Sequence, residues 1–416
     1  MNAFILSVGD ELTLGQTLDT NSAWLSAQLA TIGCWVIGHM TVPDDETSVD
    51  SAIRAHTQTA DVMLITGGIG PTEDDLTRQG LAKALGVALE MNQSWLAHLE
   101  EFFRVRNRPM VASNRIQAML PHGCGMIENT CGTACGMQVR IGPCDIYLMP
   151  GVPREMQAMF TRDVLPALRS RSGGAVILSR TLHTFGLGES TVGEKLGHLM
   201  DRRRNPSVGT TVAGGIVSLR INARFPTLAE AREKLAQTES ACREVLGELI
   251  YGADGQSLPQ AIAPLLHDAR RTIATAESCT GGLLAGMLTD VPGASGYFQQ
   301  GWVTYSNSAK QDMLRVSAET LRQHGAVSEP VVREMAEGAR QLSGADFGLS
   351  ISGIAGPAGG TPDKPVGTIC FGFAHADGVL TRTIIHSGDR AAVRDRACKT
   401  ALSILRYHLL GKPLPF

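Results

Sequence analysis

Ser278 lies in the run Glu277-Ser278-Cys279-Thr280-Gly281-Gly282, and Tyr305-Ser306-Asn307-Ser308-Ala309-Lys310 follows a short way on. A serine hydroxyl is a weak nucleophile until a base takes its proton, and a lysine held neutral is such a base. A nearby tyrosine can relay the proton or assist a leaving group. The set therefore reads as Ser278 nucleophile, Lys310 base and Tyr305 relay. Lys310 falls in the first turn after a Ser306 or Asn307 cap, where the positive end of the helix dipole disfavours protonation; burial would act in the same direction. Backbone N–H groups around Thr280, Gly281 and Gly282, at another helix start, are candidates to hold an oxyanion. Cys279 is a rival nucleophile, because a thiol at a helix start can be acidified. Singly, each of these residue types is more often a turn residue or a solvated helix lysine; the combination carries the reading.

Chemistry at this spacing needs elements that converge. The segment 271–276 is short and β-prone, 283–289 reads helical, and 301–305 is again β-prone before the Ser306/Asn307 cap. Open α/β sheets bind ligands at the carboxyl ends of their strands, so both polar groups are expected at one sheet edge. A third strand, 347–352, runs into a glycine-rich loop from Gly353 to Gly360 that includes Gly356 and lets backbone N–H groups approach an anion. Ser352 is the expected hydroxyl contact there. Arg390 and Arg394 are four apart, share a helix face and could clamp a phosphate, or form an exposed face without a ligand.

A second constellation sits near the N-terminus. Strand 61–66 leads into Gly67-Gly68-Ile69-Gly70-Pro71-Thr72, and a helix is expected from Leu76 to Leu85 with Glu73, Asp74 and Asp75 in its first turn. Glycines before a helix suit a phosphate cradle, and carboxylates beside a pyrophosphate suggest a divalent cation. Asp10, Glu11 and the pair Asp44-Asp45 fall at other strand ends that could face the same crevice. Acidic residues also favour helix starts for their own sake, which accounts for part of this pattern.

The chain has 416 residues, enough for two or three domains at about 100–200 residues each. Its net charge of −3 gives no overall attraction to nucleic acid or acidic membranes. The start lacks the pattern of a secretory signal, and no apolar run approaches the ~18 residues of a membrane span. Nine cysteines, an odd number, read as reduced thiols in a cytoplasmic protein. Of Cys124, Cys131, Cys135 and Cys144, only the middle two are spaced as zinc ligands, so buried or incidental thiols are the better reading.

The pattern of strands alternating with helices predicts an α/β fold: two three-layer α/β domains, the first (residues 3–170) with a parallel doubly wound sheet, joined by a small α+β, KH-like module. The expected boundaries are 1–170, 171–252 and 253–416. Ser170-Arg171-Ser172-Gly173-Gly174 reads as a linker and Tyr251 to Gly255 as a second hinge. Between them come strands near 176–185, 210–212 and 217–225 and helices near 189–201 and 228–249.

These motifs resemble the CinA family, the competence/damage-inducible proteins, over nearly the whole chain. The N-terminal part is similar to molybdopterin-cofactor-biosynthesis-like domains. It carries Gly9-Asp10-Glu11-Leu12, Gly15, Asp19-Thr20-Asn21, the run from Gly67 to Thr77, 129–134 and 149–156. The C-terminal part resembles nicotinamide mononucleotide deamidases through 277–282, Tyr305-Ser306-Asn307 with Lys310, Ser352-Gly353-Ile354-Ala355-Gly356-Pro357, and Gly388-Asp389-Arg390 with Arg394. Cys135 stands where the pattern expects proline, and Ser352 where related deamidases can carry threonine.

The resemblance implies hydrolysis of nicotinamide mononucleotide to nicotinate mononucleotide and ammonia on Ser278, with no cofactor. For the N-terminal domain it implies a nucleotide site (Gly67, Gly68, Gly70, Thr72, Asp10, Glu11, Asn21) and ADP-ribose pyrophosphatase activity. A divalent metal, magnesium or cobalt, on Asp75 and Asp45 would assist it. A homodimer is the default assembly. The competing class is a non-catalytic nucleotide-binding accessory of competence or DNA recombination. The middle module could resemble a KH fold, yet Gly186-Leu187-Gly188 is not the Gly-x-x-Gly turn that RNA binding requires.

Overall fold

The computed structural model describes residues 1–171 and 176–416. The Ser172-Gly173-Gly174 part of the expected linker lies outside the described residues. The chain divides into two compact units: Met1–Leu178 with Asn222–Leu235, and Ser179–Ile221 with Ala236–Phe416.

In the first unit a six-stranded sheet runs in the order Trp35–Val42, Asn2–Val8, Val62–Thr66, Cys144–Met149, Gly136–Ile141, Gly125–Ile127. The first four strands are parallel. Val62–Thr66 is buried at every position, as a strand covered on both faces must be. The helices Thr20–Thr31 and Glu46–His56 start where Asp19 and Asp45 accept the N–H groups of Ser22 and Ser48. Apolar clusters fill both faces of the sheet, one around Leu25, Leu29 and Phe160, the other around Val49, Leu81 and Trp95.

In the second unit a five-stranded sheet runs Phe298–Val303, Ile273–Glu277, Phe347–Gly353, Thr368–His375, Gly378–Ile385. The first three strands are parallel, and the last two are antiparallel. The helix Arg390–Leu409, capped by Asp389, packs its Ala397, Ala401 and Leu405 into the same core as Ile273, Leu349 and Phe371. A separate four-stranded sheet is ordered Ser207–Ala213, Ile216–Phe225, Val176–Phe185, Ile250–Ala253.

The α/β class holds, with three corrections. The first unit's sheet is mixed rather than parallel: a short turn at Gly142 (φ 55°) folds Gly136–Ile141 back against Cys144–Met149 as a hairpin. The expected hinge at 251–255 is largely the strand Ile250–Ala253, paired antiparallel with Val176–Phe185, and Asp254 forms an ion pair with Arg180. Glu73, Asp74 and Asp75 are not helical, because the helix begins at Thr77. Among the described residues no helix is long and apolar enough to cross a membrane.

Candidate active site

Three parallel strands bring the C-terminal constellation together. Glu277 is in register with Val303 on one side and Ile351 on the other. The chain then leaves the sheet held at both edges: Ser278 N donates to Ile351 O at 2.9 Å, and Thr304 N donates to Glu277 O at 2.8 Å. Gly281 (φ 61°) and Gly282 (φ 93°) turn it into the helix Leu283–Thr289 through left-handed conformations open to glycine. Ser278 is 8% exposed and faces inward.

Lys310 sits one helical turn past Ser306, whose hydroxyl caps the helix Asn307–Leu314 by accepting from Ala309 N at 3.0 Å. The lysine is fully buried. Its Nζ is 3.1 Å from Ser278 Oγ, 2.7 Å from Thr304 O and 3.4 Å from Tyr305 O. Among the described residues no carboxylate forms an ion pair with it. Burial lowers its pKa from the ordinary 10.5. Nζ donates to both carbonyls and to Ser278 Oγ; when burial strips the proton, two N–H groups suffice for the carbonyls and the lone pair is left to accept the serine O–H. Cys279 is 6% exposed, and burial, partly offset by its own backbone N–H, pushes its thiol up to about 11. At neutral pH it is a thiol, which removes the reason for preferring it as nucleophile.

The residue missed in the sequence is Glu277. Its carboxylate is 1% exposed and accepts three backbone N–H groups at the helix start: Gly282 (3.0 Å), Leu284 (3.0 Å) and Ala285 (2.8 Å). An acidic residue inside an apolar strand, immediately before the nucleophile, was the available signal. It also corrects the oxyanion expectation. Gly282 N is taken by Glu277, and Gly281 N donates to Ser278 O at 3.1 Å, so neither glycine N–H is free to hold an oxyanion. Glu277→Gln should destabilise the chain by about 2 kcal/mol in denaturant unfolding, since one amide oxygen replaces two carboxylate acceptors beside buried donors.

The two arginines frame this turn. Arg394 Nη2 donates to Thr280 O at 2.7 Å, while its Nε is buried without a partner among the described residues. Arg390 Nη1 donates to Gly356 O at 2.8 Å, and its Nη2 donates to the Tyr305 hydroxyl at 3.3 Å. The Tyr305 ring is 63% exposed, so its hydroxyl lies beside Arg390, and only its backbone carbonyl touches Lys310. Ser352 does not offer its hydroxyl to a ligand: it is buried and donates to Ala326 O at 2.7 Å. Gly353 is likewise packed, since a Cβ there would lie 2.8 Å from Thr368 O.

The N-terminal unit contains a crevice of about 550 Å³. Gly67, Gly68 and Gly70 line it with Glu11, Asp44, Thr72 and Asp75. Gly67 and Gly68 have φ of 105° and 64°, and a Cβ on Gly67 would lie 2.1 Å from Val8 O. Asp75 spends both carboxylate oxygens on the loop, accepting Gly70 N at 2.7 Å, Thr72 N at 2.9 Å and the Thr72 hydroxyl. Arg78, fully buried, donates to Ile69 O and Gly70 O; the sequence reading did not single it out. Asn21 is a brace, donating to Thr66 Oγ1 and Gly151 O.

The Asp75–Asp45 metal pair does not form. Asp45 is exposed, caps its helix through Ser48 N and stays outside the crevice lining, which its neighbour Asp44 enters instead. Asp44 and Asp10 exchange bonds, Asp10 N to Asp44 at 3.0 Å and Asp44 N to Asp10 at 3.2 Å. Burial raises the Asp44 pKa, the Asp10 N–H lowers it, and the charges of Asp10, Glu11 and Asp75 raise it further. Among the described residues no group of three His, Cys, Asp or Glu side chains is arranged to hold a metal ion. A carboxyl with a raised folded-state pKa destabilises the fold increasingly as pH rises above 3.8. Asp44→Asn should therefore raise Tm at pH 7, with the gain vanishing in acid.

Family models match three consecutive segments: a probable molybdopterin binding domain at residues 4–170, a damage-inducible protein CinA KH domain at 179–252, and a CinA C-terminal domain at 255–409. A CinA-like protein of Geobacter sulfurreducens is 40% identical over 411 residues, covering 99% of this chain and 100% of that one. A CinA-like protein of Frankia casuarinae is 43% identical over 422 residues, covering 99% and 97%. Among solved structures, the competence/damage inducible protein CihA of Agrobacterium tumefaciens is 41% identical with a TM-score of 0.36, covering 37% of this chain and 93% of that one. With full-length relatives at this identity, the chain belongs to the CinA family.

Proposed function

We propose that the C-terminal site deamidates nicotinamide mononucleotide to nicotinate mononucleotide and ammonia. The observation that carries the reading is the buried, carboxylate-free contact between Lys310 Nζ and Ser278 Oγ at 3.1 Å. Lys310 takes the hydroxyl proton as Ser278 Oγ bonds to the amide carbon. The resulting ammonium returns that proton to the departing nitrogen, the C–N bond breaks, and ammonia leaves an acyl-serine ester. Lys310 then takes a proton from water, whose oxygen attacks the ester, and returns it to Ser278 as the carboxylic acid leaves and gives its own proton to the released ammonia, yielding carboxylate and ammonium. No cofactor enters this sequence.

Arg390 and Arg394 are the groups available to a nucleotide phosphate beside the turn. Their carbonyl contacts hold the guanidinium planes in place before any ligand arrives. Arg390→Ala should raise KM for nicotinamide mononucleotide by about tenfold or more, the value of one charge-assisted contact, while leaving kcat within a few-fold. The test of the function is ammonia release from nicotinamide mononucleotide with chromatographic identification of nicotinate mononucleotide. No ammonia, combined with salt-dependent DNA binding, would favour the accessory reading of the family instead. Cytoplasmic residence and a homodimer belong to the same proposal, and light scattering checks the assembly.

A second reading concerns the glycine crevice, whose left-handed Gly67-Gly68 backbone favours a pyrophosphate, with Arg78 bracing the loop behind it through Ile69 O and Gly70 O. We assign it ADP-ribose as ligand, with hydrolysis to AMP and ribose 5-phosphate as the activity to assay. Gly68→Ala should abolish both binding and turnover, because a Cβ there would lie 2.0 Å from Thr77 Oγ1 at a φ of 64°.

A further inference from the structure

A cavity of about 540 Å³ in the second unit lies between the turn after Val176–Phe185 and the strand Gly378–Ile385 with the helix Arg390–Leu409. It shares no lining residue with the Ser278 site. That volume is in the usual range for small-molecule sites. Phe185, Val212, Val217 and Ile384 supply apolar walls. Two polar side chains reach it from the other side. Arg396 is tethered by one nitrogen, Nη1, which donates to Ser387 O at 2.8 Å and to Ser387 Oγ at 3.1 Å. Its Nε is closed off from solvent and, among the described residues, has no hydrogen-bond partner. His386, 3.3 Å from Thr400 Oγ1 through Nε2, is held neutral, its pKa pushed down to about 4 by burial and then by Arg396.

Among the described residues, Arg396 forms no ion pair. Glu189 also lines the cavity, but its Oε1 accepts the Thr210 hydroxyl and it does not reach Arg396. Arg396 is part-buried; with Nη1 held by Ser387 and no counter-ion among the described residues, Nη2 is the donor left for an anion in the cavity. The surrounding walls favour an apolar body attached to that anion, and a planar carboxylate matches the guanidinium fork.

The geometry points to a second ligand site here, one that takes a small planar aromatic monocarboxylate, its carboxylate on Arg396 and its ring between Phe185, Val217 and Ile384. The site is independent of the deamidase reading.

Titration of the full-length protein with 2-naphthoate, and with neutral 2-naphthamide as control, tests it by calorimetry. Expected are submillimolar binding of the acid, at least about tenfold weaker binding of the amide, and unchanged acid binding in Ser278→Ala. Arg396→Gln should erase the preference for the acid. Val212→Trp, placed on the half-exposed rim where folding is least at risk, should weaken both ligands by filling the space. Equal affinity for acid and amide, no binding, loss of binding in Ser278→Ala, or acid binding that survives both Arg396→Gln and Val212→Trp would each overturn the assignment.

Discussion

Ser278→Ala is expected to lower ammonia release from nicotinamide mononucleotide by on the order of 10³-fold or more, because in the proposed reaction Ser278 Oγ forms the acyl intermediate. Cys279→Ala is expected to retain activity within about tenfold. The two side chains are neighbours on one turn, but burial separates them chemically. Ser278 has Lys310 Nζ at 3.1 Å, whereas the Cys279 thiol is pushed up to about 11 and has no such base. Steady-state rates on both variants, with circular dichroism to confirm folding, decide the matter. The reverse outcome would move the chemistry to the thiol.

Lys310→Met is expected to cost roughly 10²–10⁴-fold in kcat/KM, the usual contribution of a positioned base. It should also change the pH profile. In the native protein the rate should rise with pH until it passes the depressed pKa of Lys310 and then level off, since only the neutral amine accepts the serine proton. In the methionine variant that rising limb should vanish. The same group leaves a signature in stability. Between the folded-state pKa and 10.5, the unfolded chain holds a proton that the folded chain lacks, so stability rises with pH across that window. Lys310→Met should flatten that rise in denaturant titrations run at several pH values. A rate profile with an unchanged limb in the variant would show that the base lies elsewhere.

Much of this site was legible because its signals are local. A Ser306 cap followed by a short helix, glycines at the turn after a β-prone run, and an Asp before a helix each act within a few residues, so sequence spacing reports them directly. The helix 283–289 and the strand 176–185 coincide with the observed elements for that reason. The pairing of Ser278 with Lys310 was also within reach, since two parallel strands ending together must deliver their following residues to one edge.

What failed depended on direction in space. Asp44 and Asp45 are adjacent and chemically alike, yet one lines the crevice and the other caps a helix outside it. Ser352 matches a motif position, but its hydroxyl turns back to Ala326. Glu277 and Arg78 are charged residues whose roles arise from burial against backbone groups brought close by the fold. The hairpin that makes the first unit's sheet mixed was likewise set by which strand edge remained free to pair.

The amino-acid order alone determined the α/β class, the positions of caps and turns, and the residue types able to split an amide. Only the tertiary structure decided which of those side chains lose their water and which partners replace it. Burial lowers the Lys310 pKa and raises that of Cys279, and desolvation is a property of packing from several strands at once rather than of any one segment.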